Sequence, residues 1–135
     1  MNLNFESQFI NDIDPTINDY NSEQNWFYYG QKDYENKCKI IVSENIKLNK
    51  DTFNNNITHL RFTYGFNQRI EKNILPDSLK VLQFYCDYKH KITKDVLPDS
   101  LLSLFLGYSF SETLDKDVLP QSLKVLHFGE DFNQI

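Results

Sequence analysis

The chain has 135 residues, enough for one domain with a hydrophobic core and too few for two. A hydrophobic content of 40% excludes wholesale disorder. The net charge of −5, without a cluster of Lys or Arg, argues against nucleic acid and anionic membranes as partners, because both require clustered cations. No apolar run reaches the ~18 residues of a transmembrane helix, and the acidic N-terminal stretch is not typical of a signal peptide, so we expect a cytoplasmic protein.

Residues 1–37 match no repeat and are rich in apolar and aromatic side chains. Phe5, Phe9 and Ile13 have helical spacing interrupted by Pro15, and four aromatic residues follow together at 26–29. The remainder of the chain predicts a repeat solenoid, whose first coil has an apolar edge that needs a cap. We therefore predict that residues 1–37 form an N-terminal cap that includes a short helix, with a separate binding element as the alternative.

Residues 38–56 predict a degenerate first coil of this solenoid. Cys38, Ile40 and Val42 alternate as strand residues do. They lie one repeat unit before Leu60, Phe62 and Tyr64, respectively. Cys38 and the second cysteine, Cys86, match no metal or redox spacing, and we interpret both as reduced thiols.

From residue 57 onward a unit of about 22 residues recurs, within the range of known repeat proteins. Pro76, Pro98 and Pro120 stand at the same phase of three successive units. The same step relates four columns of large apolar residues, which are Ile57/Leu79/Leu101/Leu123, Leu60/Leu82/Leu104/Leu126, Phe62/Phe84/Leu106/Phe128 and Phe66/Tyr88/Phe110/Phe132. A fixed period with apolar residues at the same phases indicates a solenoid in which stacked coils share one core.

Each unit contains one short predicted strand. Alternation around Leu82 and Phe84 is typical of a half-buried strand, and equal spacing makes the strands parallel. The predicted strands are 59–63, 81–85, 103–107 and 125–129. The return path of about 12 residues is too short for a usual helix, so we expect extended or 3₁₀ turns. The fold class predicted is mainly β, a leucine-rich-repeat-like solenoid of 22-residue coils, with the solenoid spanning residues 38–135.

Prolines and serines mark the corner of each coil. Pro76 fixes its own φ and makes the preceding residue extended. Serines follow two residues later, at Ser78, Ser100 and Ser122. Since short hydroxyl side chains bond nearby backbone in turns, we predict local hydrogen bonds for these serines.

The stretches FTYGFNQRI (62–70) and FGEDFNQ (128–134), with the recurring Leu-Pro-x-Ser-Leu, resemble the FNIP repeat, a relative of the leucine-rich repeat about 22 residues long. The resemblance covers residues 57–135, although Tyr88-Lys89-His90 replaces Phe-Asn-Gln and Arg69 stands where the family usually has proline. This family is known chiefly from social amoebae and amoeba-infecting giant viruses. The resemblance implies a leucine-rich-repeat-like solenoid in the cytoplasm of a eukaryotic or virus-infected cell.

Three columns of side chains alternate with the predicted core and should lie on the outer face of the parallel sheet. They are His59/Val81/Ser103/Val125, Arg61/Gln83/Phe105/His127 and Thr63/Tyr85/Gly107/Gly129. Val81, Tyr85, Phe105 and Val125 would form an exposed apolar patch, which often marks a partner site. We predict a non-catalytic protein-binding module with Arg61, Tyr85 and Phe105 as anchors. The full set of candidate partner-binding residues is Arg61, Val81, Gln83, Tyr85, Phe105 and His127.

The nearest approach to a catalytic set is residues 86–90, which include a cysteine and a histidine. A cysteine nucleophile needs a base within hydrogen-bond reach, and we interpret these residues as a solvated turn. His59 and His127 are separated by three coils, too far to share one metal ion. We therefore predict no catalytic, metal-binding or cofactor-binding residues, and no enzyme.

Self-association is the alternative function. The repeat ends at Ile135 in the middle of a unit, and an uncovered last coil would present an open sheet edge to a second copy or another protein. Some FNIP-repeat proteins carry an F-box ahead of the repeats. Residues 1–37 show no F-box pattern, so we do not assign a ubiquitin-ligase adaptor role.

Overall fold

The computed structural model describes residues 25–107 and 109–129. Within them, six short strands form one parallel sheet in which each strand neighbours the next in the chain. The strands are β1 (Phe27–Tyr28), β2 (Lys39–Val42), β3 (His59–Phe62), β4 (Val81–Phe84), β5 (Ser103–Phe105) and β6 (Val125–His127), and a 3₁₀ helix covers Tyr34–Asn36. The structure is a β-solenoid with one strand per coil, which confirms the predicted fold class.

The sheet register follows the sequence period from β3 onward. Leu60 pairs with Leu82, and Leu82 pairs with Leu104, so each step is one full repeat unit, as predicted. The predicted register of β2 is wrong, because Ile40 pairs with Leu60 and not with Phe62, and this step is two residues short of a full unit. A shift by two residues keeps the same side chains on the core face of the strand.

The first coil is shorter because the turn after β2 lacks two residues. Val42 pairs with Phe62, and the Asn45 side chain then accepts a hydrogen bond from the Asn67 amide at 2.8 Å. Two residues, 43 and 44, therefore take the path that four residues, 63–66, take in the next coil. The pair Tyr64 and Gly65 has no counterpart in the first coil.

The predicted apolar columns form the core between the sheet and the return path. Leu60, Leu82, Leu104 and Leu126 are at most 1% exposed. Beside them the rings of Phe62 and Phe84 stack with centroids 5.4 Å apart. Burial of one such Leu or Phe side chain contributes about 1.5–3 kcal/mol. Because each coil exposes this face without a neighbour, the core exists only where coils are stacked.

Hydrogen bonds between coils hold the corners, and here the prediction of local bonds for the serines is wrong. The Ser100 hydroxyl donates to the Leu79 carbonyl of the preceding coil at 2.6 Å, and Ser78 and Ser122 make the equivalent bond. A serine placed two residues after proline points along the stack and meets a carbonyl one coil away. Just before each proline segment the chain turns through a residue with positive φ, which is Asn73, Asp95 or Asp117.

The described part of the predicted cap, residues 25–37, packs against the first coil. Tyr29 contacts Tyr34 and Phe53 through its ring. The outer edge of β1 is closed by Gln31, whose side chain accepts a hydrogen bond from the Tyr28 amide while its own amide donates to the Tyr28 carbonyl. The helix predicted within residues 1–24 and the C-terminal edge at 130–135 lie outside the described residues, so the boundaries of the cap remain a prediction.

Candidate interaction surfaces

The predicted exposure of the outer sheet face is wrong for most of its residues. Arg61 is 1% exposed, Gln83 0% and Phe105 3%, and Val81 and Val125 are each 1% exposed. Among the candidate partner-binding residues, Tyr85 and His127 alone are partly exposed. The strands of the central coils are therefore covered on both faces.

Part of the cover comes from the outer side chains themselves. The Arg61 guanidinium lies between two rings, with its Cζ 4.2 Å from the centroid of Trp26 and 4.7 Å from that of Tyr85. Arg61 Nε also donates to Gln83 Oε1 at 2.8 Å. Cation–π contacts of a desolvated guanidinium are worth about 2 kcal/mol, which helps to offset the burial of its charge.

Aromatic contacts continue along the same column. Tyr85 meets Phe105 edge to face at 5.1 Å, and Phe105 meets His127 in the same way at 4.9 Å. Burial lowers the pKa of His127, so its ring is neutral at neutral pH. These contacts make the outer column a second packed layer, which the alternation of the sequence alone does not reveal.

The adjacent outer column, His59/Val81/Ser103/Val125, contains two valines. Val81 and Val125 pack together with Leu102 beside them. Ser103 lies between these valines in the register, and its hydroxyl is buried without a hydrogen-bond partner among the described residues. All four side chains of this column are buried, so it offers no polar group to solvent.

Within residues 86–90, the Cys86 thiol is ill suited to act as a nucleophile. Cys86 is 8% exposed, and burial, with a smaller contribution from Asp87, raises its pKa to about 12. A thiol with this pKa stays protonated at neutral pH and is a poor nucleophile. Tyr88 belongs to the core, where its hydroxyl accepts a hydrogen bond from the Ile70 amide at 3.2 Å. Within the described residues there is no group of three or more potential metal ligands.

Among the turns that follow the strands, the turn after β3 carries the most exposed large side chain, which is Tyr64. Tyr64 is 84% exposed, whereas Tyr28 is 52% exposed, and these two are the exposed large hydrophobic residues in the part of the chain described. Tyr64 is uncovered on one side because the turn after β2 is two residues shorter. In the next coil, the small side chain of Cys86 occupies the equivalent position. Tyr64 was not among the predicted partner-binding residues, because the repeat alignment placed Val42 beside it in the preceding coil.

The turn that carries Tyr64 lies close to the backbone of the preceding coil. Gly65 has a φ of +93°, and a Cβ at this position would lie 2.7 Å from the Ser43 carbonyl oxygen. The Phe66 amide donates to the Thr63 carbonyl at 3.2 Å. Beside Tyr64, a cleft of about 180 Å³ extends toward Asp87, and its lining is Tyr64, Gly65, Phe66, Asn67, Cys86 and Asp87. We call this cleft and its lining the Tyr64 rim.

A larger open groove of about 450 Å³ lies on the return path of the first two coils. Phe53, Leu75 and Pro76 lie at its base, and its other lining residues are Lys50, Asp51, Asn54, Asn55, Asn73, Ile74 and Asp77. Its walls are mostly amide and carboxylate groups. None of the helices in the described ranges has the length and apolar character needed to cross a membrane.

Comparisons with known proteins agree with this architecture. The crystal structure of CroV588, a giant-virus protein described as a novel circular LRR protein, is similar to this chain with a TM-score of 0.68 and 40% sequence identity. The similarity covers 71% of this chain and 14% of that chain. No curated protein matches the chain. A family model described as FNIP Repeat matches residues 45–87, 66–109 and 110–135. The chain therefore belongs to the FNIP repeat family.

Proposed function

We propose that this chain is a non-catalytic scaffold that binds another protein through the Tyr64 rim. Its repeat family and leucine-rich-repeat-like fold support a role as a protein-interaction scaffold. The observation that carries the choice of surface is the 84% exposure of Tyr64. A tyrosine supplies a large contact area and one hydroxyl at a low cost in side-chain entropy, so it is a frequent anchor of interfaces.

The packing of the turn that carries Tyr64 supports this role. The close approach of Gly65 to Ser43 and the hydrogen bond from the Phe66 amide to the Thr63 carbonyl restrict the conformations open to this turn. A surface that is already ordered loses little conformational entropy on binding. Asp87 is exposed beside the cleft, and its Oδ1 accepts a hydrogen bond from the Ser109 hydroxyl at 2.8 Å. The rim thus offers one aromatic anchor and an oriented carboxylate to a partner that carries hydrogen-bond donors.

The sheet face predicted from the sequence fits this function less well in the conformation described. Arg61, Val81, Gln83 and Phe105 are buried, so a partner could reach them only after displacement of the groups that cover them. Tyr85 and His127 are partly exposed. Binding through these six residues remains a prediction.

A photo-crosslinking amino acid at position 64 tests the rim, with the same amino acid at position 28 as the matched control. Tyr28 is the second exposed tyrosine and lies at the N-terminal edge of the sheet, in β1. We expect a protein that crosslinks from position 64 and not from position 28. Unlabelled wild-type chain should compete with this product, and Tyr64→Ala should compete at least ten-fold less well. Equal competition by wild type and Tyr64→Ala would overturn the assignment of the rim, and so would equal crosslinking from both positions.

Self-association remains the alternative. The C-terminal edge on which it depends lies outside the described residues. At the other end of the sheet, Gln31 occupies the amide and the carbonyl of Tyr28, so a second copy would have to break these hydrogen bonds to extend the sheet there.

A further inference from the structure

The cleft of the Tyr64 rim has the size of one side chain of a partner. Its volume of about 180 Å³ lies below the roughly 300–1,000 Å³ of pockets that bind small molecules. Phe66 and Cys86 supply buried, apolar parts of its lining. Tyr64 belongs to the same lining, and most of its ring is exposed to solvent. The cleft therefore fits the end of one partner side chain that lies along the Tyr64 ring.

Asp87 is the one charged residue in the lining of this cleft. Its Oδ1 accepts a hydrogen bond from the Ser109 hydroxyl, which is neutral and leaves the negative charge in place. None of the ion pairs formed among the described residues includes Asp87. The charge acts within the cleft, because the pKa of the Cys86 thiol is raised by burial and, to a smaller extent, by Asp87. A cationic group of a partner would meet this carboxylate as its counter-ion.

The charged groups in the neighbouring turns leave this part of the surface acidic. Glu44 is exposed in the short turn after β2, beside the turn that carries Tyr64. Lys89 is exposed in the turn after β4, but it is not part of the lining of the cleft. His90 is hydrogen-bonded to Asn67 and is also outside the lining. The cleft thus favours a cationic group of a partner and disfavours an anionic one.

Arginine is the cation that suits both the ring and the carboxylate. Its guanidinium is flat, stacks on aromatic faces and donates several N–H groups, whereas the lysine ammonium is a strongly hydrated point charge. The chain contains the same combination of contacts elsewhere. Arg61 Cζ lies 4.7 Å from the centroid of the Tyr85 ring, and Arg61 Nε donates to Gln83 Oε1 at 2.8 Å. An arginine of a partner would find a tyrosine ring and an acceptor oxygen together at the Tyr64 rim.

We propose that the Tyr64 rim binds an arginine side chain of its protein partner, whose guanidinium stacks on the Tyr64 ring and donates hydrogen bonds to the Asp87 carboxylate. This inference rests on the proposed function, because it names the partner group that the same surface recognises. A partner with an exposed arginine in a basic surrounding fits the rim. A nucleic acid does not, since its phosphates are repelled by the carboxylates.

Titration with N-acetylarginine amide, followed by the NMR signals of Tyr64 and Asp87, tests the cleft without a partner. We expect a dissociation constant of roughly 10–100 mM, because this ligand makes one cation–π contact and one charge-assisted hydrogen bond. N-acetylcitrulline amide has nearly the same shape without the charge and should bind at least about five-fold more weakly. Asp87→Asn should weaken arginine binding by about the same factor, whereas Asp99→Asn, an exposed control at a coil corner, should not. The inference is overturned by equal affinity for the two ligands, by an unchanged affinity in Asp87→Asn, or by the absence of shifts at Tyr64 and Asp87.

The crosslinking assay separates failure of this inference from failure of the proposed function. Unlabelled Asp87→Asn should compete with the product from position 64 at least about five-fold less well than wild type, and Asp99→Asn should compete as wild type does. An increase in NaCl from about 50 to about 500 mM should reduce the yield of the product, because salt screens exposed charges. Equal competition by Asp87→Asn and wild type would overturn the assignment of arginine and leave binding through the rim in place. Absence of a product specific to position 64 would overturn the proposed function and this inference with it.

Discussion

Removal of one corner serine should destabilise the solenoid through the carbonyl of the preceding coil. Ser100→Ala deletes the hydroxyl that donates to the Leu79 carbonyl at 2.6 Å. Within the described residues, no backbone amide donates to this carbonyl, and the Ser100 side chain is partly buried. A lost hydrogen bond that leaves a partly buried acceptor unpaired costs about 1–2 kcal/mol. For a domain of this size we expect the melting temperature to fall by roughly 3–8 °C.

The assay is urea unfolding followed by circular dichroism, with Ser43→Ala as the control. Ser43 is exposed and follows β2 directly, and its hydroxyl makes no hydrogen bond that is observed within the described ranges. We expect the control to change the free energy of unfolding by less than about 0.5 kcal/mol. Equal values for Ser100→Ala and Ser43→Ala would refute a role of the corner serine in bonding between coils. They would support the simpler view, taken from the sequence, that the serine acts only within its own turn.

Groups in and beside the core give two further predictions. Burial raises the pKa of both Cys86 and Tyr88 to about 12, whereas in the unfolded chain these groups titrate near 9 and 10. The stability that the two protonated groups contribute is therefore complete below pH 9 and is lost as the pH rises toward 12. Urea unfolding at increasing pH should show this loss, and Cys86→Ala/Tyr88→Phe should flatten it; an unchanged slope in the double variant would contradict the assignment. Gly65→Ala should lower the melting temperature more than Gly30→Ala, because both glycines have positive φ but only at Gly65 would a Cβ meet a backbone atom within 4 Å. Equal losses in thermal unfolding would show that the contact with Ser43 is not restrictive.

The repeated part of the fold could be predicted because each coil carries the same local information. Leu82 and Leu104 occupy the same phase of the repeat and are both buried. An incorrect assignment of the core face in one coil would therefore disagree with the assignment in the other coils. The first coil shows where this reasoning fails. Its degenerate sequence kept the alternation of Ile40 and Val42, but its two missing residues lie in a turn without an apolar signal, so the shorter step between β2 and β3 was not apparent.

The outer sheet face could not be predicted because its burial depends on residues that do not repeat. Alternation in a strand indicates that Arg61 and Phe105 lie opposite the core, and it says nothing about what covers them. The contact between Trp26 and Arg61 joins the predicted cap to a strand in the second coil. No periodic pattern relates these two residues, so nothing in the sequence indicated that they would meet.

The proposed function therefore rests on departures from the repeat. Regular positions such as Leu82 are used to stack coils, and their chemistry is the same in every unit. Tyr64 is exposed because the coil before it is two residues short, and Arg61 is the one cation among the outer side chains of its column. A partner that recognised only the regular positions would bind every coil alike. Recognition of one place on the solenoid requires groups that occur once, and the Tyr64 rim contains one.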